Sequence, residues 1–184
     1  MVRRFRPRHI VEVGSGHSTR FLARAAADGV TGTRITAIDP APRATLAGLD
    51  IELLRMRVQD SGDAPFAQLV DGDFLVVDSS HRMEPGSDVE FLIQQVLPAL
   101  PAGVHVHFHD IFLPDEYPAA WAWRRYTEQA AVADLLSSTR YAIEFASAWL
   151  LSRRAHLLGT GVVSRLPLVP GAIESSLWLR KVLG

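Results

Sequence analysis

The eleven residues His9-Ile10-Val11-Glu12-Val13-Gly14-Ser15-Gly16-His17-Ser18-Thr19 constrain the chain most. A short apolar run carrying one acid is followed by a Gly-x-Gly turn and a hydroxyl pair, and an amphipathic segment opens at Arg20-Phe21-Leu22. That order predicts a buried strand, a tight turn and a helix N-terminus. Glycine belongs where the backbone turns sharply or lets a ligand come close. Ser18 or Thr19 is expected to cap the helix, and the free N–H groups at that end suit an anionic or polar ligand.

Three kinds of Gly-rich loop share this outline. A phosphate loop needs a lysine at its end, and none is near. A dinucleotide fingerprint wants a third glycine where Thr19 stands, although Asp39 follows at a fitting distance for a ribose. The third reading includes Glu12, an acid where a core residue belongs, and gives it a ligand ammonium to face. S-adenosylmethionine offers such a group, whereas the pyrophosphate of NAD would be repelled. The plain alternative is an ordinary strand-to-helix turn.

With 184 residues, 48% hydrophobic and 21% charged, the chain suits a single domain, 1–184, with an ample core. A formal charge of −1 predicts no general attraction to nucleic acid or anionic membrane. The basic start, Arg3-Arg4-Phe5-Arg6-Pro7-Arg8, reads as a solvated terminus. The absence of cysteine excludes disulfides, thiolate metal sites and thiol nucleophiles. No apolar run is long enough to span a membrane and no signal-peptide core is present, so a cytoplasmic location is expected.

Short β-rich stretches alternate with helical ones. Strands are expected at His9–Val13, 34–38, 51–58, 74–77, 104–108, 141–149 and 176–182. A helix ends near Asp28-Gly29, a short helix or turn spans 43–49, and a modest helix covers 64–70. Ser87 and Glu90 have capping-box spacing ahead of Phe91-Leu92-Ile93. A Pro- and aromatic-rich loop, 111–123, leads into a helix through Leu136, and an irregular segment precedes the last strand. Such alternation implies an α/β, doubly wound, parallel sheet covered on both faces. Ligands then bind beyond the carboxyl ends of the strands. Glu12, Asp39, Asp60, Asp78 and Asp110 each close an apolar run and are expected at that edge, where like charges need cationic or hydrogen-bonding groups between them.

Taken together, these pieces resemble the class I, Rossmann-like S-adenosylmethionine-dependent methyltransferases, in particular bacterial small-molecule O-methyltransferases. The matching residues are Val11 to Ser18, Ile38-Asp39-Pro40, Asp73 to His81, Pro85 to Val89, His107 to Pro114 and Ser176 to Lys181. The resemblance covers nearly the whole chain. It implies a mostly parallel seven-stranded sheet whose last strand inserts antiparallel beside the sixth. It also implies that Glu12 and the turn Gly14, Ser15, Gly16, His17 and Ser18 hold the methionine moiety. Asp39 with Pro40 would meet the ribose, Gln59 and Asp60 would border the adenine, and Asp78 would lie between methyl donor and acceptor.

Methyl transfer is an in-line displacement that asks for alignment and exclusion of water. A hydroxyl nucleophile also gains from a general base. His81, three residues past Asp78, is the candidate, with a pKa suited to the task. His105, His107 and His109 alternate along one strand and share a face. Asp78, His109 and Asp110 could hold a divalent metal, with His105 too far from the edge to join. Hydrogen-bonded histidines are the alternative. The loop from Phe112 to Pro118, with Trp121 and Trp123, is expected to wall the acceptor pocket. Because few residues precede the first strand, no long N-terminal lid is expected. A homodimer is one way to cover the acceptor. The expected partner is a small hydroxylated acceptor, and the rival readings are a nicotinamide-dependent oxidoreductase and a non-catalytic S-adenosylmethionine-binding module.

Overall fold

The aliphatic and β-branched runs form β1 (His9–Val13), β2 (Arg34–Ile38), β3 (Glu52–Leu54), β4 (Phe74–Val77), β5 (His105–Phe108), β6 (Tyr141–Ala146) and β7 (Leu177–Lys181). In this computed structural model, which describes residues 1–158, 165, 169 and 171–183, they pair into one sheet ordered β3-β2-β1-β4-β5-β7-β6. The first five strands are mutually parallel, whereas β7 runs antiparallel between β5 and β6. The chain steps outward from β1 to β3, then returns to start β4 on the other side of β1. Strand order therefore reverses between β1 and β4, where a parallel sheet opens its ligand crevice.

Both faces are covered because nearly every residue of β1, β4 and β5 is buried. On one face Val2 and Phe5 of α1 (Val2–Phe5) and Leu22, Ala25 and Ala26 of α2 (His17–Gly29) pack on Ile10, Ile35, Phe74 and Trp178. The other face holds the larger core. There Phe91 of α3 (Asp88–Phe91), Leu92 and Val96 of the π-helical turn after it, Leu97 of α4 (Leu97–Ala99) and Val132 of α5 (Glu128–Ser137) meet Val11, Leu75, Val77, Val106 and Leu179. Ser87 caps this stretch as expected, its Oγ accepting from the Glu90 N–H at 3.0 Å, while the Glu90 carboxylate accepts from the Gly86 N–H at 2.7 Å.

Several local expectations are corrected. The third strand ends at Leu54 because its sole neighbour, β2, stops at Ile38, and Val58–Asp60 instead makes a turn of 3-10 helix. Residues 64–70 form a turn rather than a helix, with Phe66 and Leu69 drawn individually into the core, while 43–49 takes the turn form of the short helix or turn expected there. Trp149 lies in α6 (Ser147–Leu158), not in β6, since β6 pairs only as far as Ala146 against Leu177. The segment expected to be irregular is thus helical to Leu158, and positions 159–164 lie outside the described residues. The cap of α2 is Gly16; Thr19 sits three residues in and accepts from the Gly16 N–H at 2.9 Å. Among the described residues, no helix is long and apolar enough to cross a membrane.

Candidate active site

Backbone hydrogen bonds carry the sheet one residue beyond its strands and set the edge in register. Gly14 N–H donates to Ile38, Asp78 N–H to Val13 and His109 N–H to Val77, each at 2.9 Å, and Asp39 N–H to Leu54 at 3.0 Å. Asp39, Asp78 and His109 therefore emerge side by side. Glycine is required at position 14: its φ is +85°, and a Cβ there would stand 1.8 Å from the Asp78 carbonyl oxygen. Gly16 has extended backbone and open space around it, so conformation alone does not demand glycine there.

Gly14, Asp39, Pro40, Gln59, Asp78 and Ser87 line a cleft of about 400 Å³ at the switch point. The Asp39 carboxylate accepts from Ser15 Oγ at 2.7 Å and from the Ala41 N–H at 2.8 Å, which aims it along the cleft. Gln59 is held by the Gly86 carbonyl at 2.8 Å. His17 and Ser18 open the thirteen-residue α2 beside Ser15 and Gly16. Asp60 does not join them, because Arg57 grips both its oxygens at 2.9 Å on the surface. Four of the five expected acids thus gather at one edge. A larger groove of about 910 Å³ lies between α2 and the amino ends of β2 and β3, away from these groups.

Glu12 is fully buried at 0% exposure, and neither carboxylate oxygen has a hydrogen-bond partner among the described residues. Burial, helped by Asp78 and Asp39, pushes its carboxyl up to about 7, against the pull of the nearby Ser18 and Thr19 hydroxyls. Its chain neighbours Val13 and Gly14 line the cleft, and an unpaired buried acid directly behind them calls for a cationic or donating partner.

On the other side of Asp78 stands His81, 3% exposed and in the left-handed region at φ 59°. Asp110, at φ 57°, shares this uncommon backbone. Such strain costs about 1–3 kcal/mol at each position and clusters at functional sites. The His81 ring is clamped: Nδ1 meets Glu128 Oε2 at 2.8 Å, while Nε2 faces Asp78 at 3.4 Å and Asp110 at 3.9 Å. Its carbonyl accepts from the Thr127 and Glu128 N–H groups at 2.9 and 3.1 Å, so the start of α5 grips both ends of the residue. Burial disfavours the imidazolium, but the Asp78 and Glu128 hydrogen bonds and the Glu128 and Asp110 charges outweigh it and raise His81 to about 9. Burial pushes Glu128 up, and the His81 imidazolium opposes the shift. Asp78 and Asp110 are disfavoured as anions by burial, yet both end below the usual carboxylate range. His81 and His109 hold Asp78 down; His109 and the Ser175 hydroxyl, at 2.8 Å, hold Asp110 down.

His109 Nδ1 is buried 3.1 Å from Asp110 and 3.5 Å from Asp78, aligned for a hydrogen bond with neither. Donor atoms of Asp78, His81 and His109 lie within 4.8 Å of one another. One carboxylate and two imidazoles, with an orphaned ring nitrogen on His109, fit a divalent cation, whereas Asp110, expected among the ligands, lies outside this cluster. His105 is spent elsewhere, on Glu144 at 2.6 Å. His107 binds Ser176 Oγ at 2.7 Å, and burial pushes its pKa down to about 3.

Two neighbours lie outside what the strand ends foretell. Glu128 sits where an acid ordinarily complements a helix N-terminus, so nothing local marks it as buried. Arg124 lies within the run Trp121 to Tyr126, where its residue type and position are those of an ordinary loop cation. Trp121 meets Phe112 edge-to-face at 5.2 Å, whereas Trp123 is 77% exposed. The loop is braced by Gln129, which takes the Phe112 N–H at 2.7 Å and donates to the Asp115 carbonyl at 2.9 Å, and by the Asp115–Arg153 pair.

No curated protein matches the sequence. Solved structures do resemble the fold. The chain shares 16% identity and a TM-score of 0.57 with an S-adenosylhomocysteine-bound methyltransferase, PaMTH1, of Podospora anserina, over 98% of this chain and 74% of that one. The plantazolicin methyltransferase BpumL with S-adenosylhomocysteine gives 14% and 0.56 over 98% and 80%. The cmcI structure with magnesium and S-adenosylmethionine gives 16% and 0.50 over 99% and 68%. The methyltransferase-domain family matches residues 11–111, from the middle of β1 through the end of the site's carboxylate series. That span takes in Glu12, the glycine turn, Asp39, Asp78, His81 and Asp110, and it sets aside the nicotinamide reading: the chain belongs to the methyltransferase-domain family and is an S-adenosylmethionine-dependent methyltransferase.

Proposed function

We propose that the protein moves the methyl group of S-adenosylmethionine to a hydroxyl oxygen of a small-molecule acceptor, with His81 as general base. The observation that carries this reading is the clamped imidazole. Glu128 at 2.8 Å holds Nδ1, which turns Nε2 toward Asp78, 3.4 Å away on the lining of the cleft. In the neutral ring, Nδ1–H donates to Glu128 and Nε2 keeps its lone pair, the tautomer a base needs. Nε2 takes the hydroxyl proton, the oxygen attacks the methyl carbon, and the C–S pair returns to sulfur as the sulfonium becomes a thioether.

The cofactor side supplies alignment. Asp39 with Pro40 receives the ribose hydroxyls and Gln59 borders the adenine. Glu12 faces the ammonium, and the turn from Gly14 to Ser18 cradles the methionine carboxylate at the α2 N-terminus. The sulfonium beside Asp78 places positive charge near the His81 imidazolium and so works against it. Asp78 and His109 would hold a divalent cation, a reading supported by magnesium in the similar cmcI structure. Such an ion supplies Lewis-acid polarisation of the acceptor oxygen.

Labelled-methyl transfer to a panel of hydroxylated acceptors tests the reading. His81→Ala and the bulkier His81→Gln are expected to lose roughly a hundredfold or more in turnover. Their affinity for S-adenosylhomocysteine should stay within about threefold of wild type. Undiminished turnover in both variants removes His81 from the mechanism.

A further inference from the structure

We propose that Arg124 selects acceptors carrying a carboxylate close to the hydroxyl that is methylated. The inference rests on the methyl-transfer reading of this edge and adds the chemical class of the acceptor.

Arg124 ends the 3-10 turn Ala119–Arg124 and is 31% exposed on its side chain. Its guanidinium lies over Trp121 at 4.1 Å, with Trp123 and Tyr126 each at 5.4 Å. Three rings therefore hold the plane of the cation before any ligand arrives. The protein satisfies little of its donor capacity. Nη1 donates to Tyr126 Oη at 3.0 Å. Asp110 Oδ2 faces it at ion-pair range, 3.6 Å, beyond hydrogen-bond distance, while Ser175 and His109 face the other oxygen of that carboxylate, Oδ1. Nε is buried with no partner, and Nη2 makes no hydrogen bond among the described residues. A rigid cation with one whole edge unspent, in an aromatic surround, is built for a planar oxyanion taken two-handed.

The position of that edge relates it to the chemistry. Arg124 Nη1 and His81 Nε2 approach the same atom, Asp110 Oδ2, at 3.6 and 3.9 Å. The Tyr126 ring, which Arg124 bonds, lies 4.5 Å from the His81 ring. Base and guanidinium thus flank one oxygen, so a single small acceptor spans both, its hydroxyl at His81 and its carboxylate at Arg124. A neutral acceptor would leave the arginine edge unpaired in a partly dry site, which costs affinity.

The test is a titration, followed through tryptophan fluorescence, with S-adenosylhomocysteine bound. Matched pairs differ only in the acid: protocatechuate and its methyl ester, caffeate and its methyl ester, glucuronate and its methyl ester. Wild type is expected to favour the acid of at least one pair by about tenfold or more, the worth of one charge-assisted pairing. Arg124→Met should bring that ratio to about one, and Arg124→Lys, which keeps charge without the fork, should fall between. Unchanged S-adenosylhomocysteine affinity in the variants shows that the fold and cofactor side are intact. Equal binding of acid and ester by wild type, a preference that survives Arg124→Met, or no acid binding at millimolar concentration overturns the proposal. If S-adenosylhomocysteine itself fails to bind, the methyl-transfer reading falls instead, a result the acid-to-ester ratio does not produce.

Discussion

Glu12 shows what one residue contributes when burial and charge conflict. A carboxyl whose folded pKa is about 7 against an ordinary 4.5 leaves stability untouched at low pH, where both states carry the proton. As pH rises past 4.5 the unfolded chain releases its proton first. Stability therefore falls with rising pH until the folded carboxyl also ionises, and above about 7 the loss levels off. The full penalty is about 3 kcal/mol. Glu12→Gln, without cofactor, is accordingly expected to be more stable than wild type near pH 8 by up to about that amount. The two should converge below pH 5 or so in urea unfolding; a difference that ignores pH would show that Glu12 is already paired. The same variant should bind S-adenosylmethionine more weakly, since the ammonium has lost its anion. At this scale the sequence was informative where a residue type clashes with its place in a strand, as with Glu12, and silent where it does not. Glu128 and Arg124 look like an ordinary helix-start acid and an ordinary loop cation, and only their neighbours in space make them part of a site.

Elements set the distances on which that chemistry depends. The turn after β1 and the residue after β4 come so close that Gly14 has no room for a methyl group. Gly14→Ala combines a left-handed backbone with a collision against main-chain atoms that cannot rotate away. The expected cost is about 3 kcal/mol or more, with loss of cofactor binding as Asp78 is displaced. Thermal unfolding checks the first and titration with S-adenosylhomocysteine the second; a variant of wild-type stability would mean the two loops are not in contact. The strands themselves were legible because β1, β2, β4 and β7 are apolar runs bounded by turn residues. The stretch 64–70 between β2 and β4 was not, since Pro65 and the Asp71-Gly72 punctuation leave only a turn where alternation alone suggested helix. The end of β6 is not legible either: nothing in 141–149 announces that its partner strand runs out at Leu177.

For the molecule as a whole, the decisive event is convergence from distant parts of the chain. Asp78 follows β4, His109 and Asp110 follow β5, Glu128 starts α5, and Ser175, which fixes Asp110, precedes β7. A cation held by Asp78 and His109 would bridge two adjacent strand ends. Exhaustive chelation is therefore expected to abolish labelled-methyl transfer, and restored divalent cation to recover it, while affinity for S-adenosylhomocysteine changes little. Turnover indifferent to chelation would leave those residues as charge partners of their neighbours alone. By itself the sequence determined that short buried strands alternate with covering segments. It determined, too, that most of those strands end in acids, because hydrophobic runs and their polar terminators are local properties written one after another. It also carried the order of motifs by which the chain resembles its family. Only the tertiary structure decided which acids share a site. Parallel pairing brings Asp39, Asp78 and Asp110 to one edge, while Asp60 turns away to Arg57, and the packing of α5 delivers Glu128 and the Arg124 loop to His81. Those choices depend on register and burial between residues tens of positions apart, quantities that exist only once the chain has closed on itself.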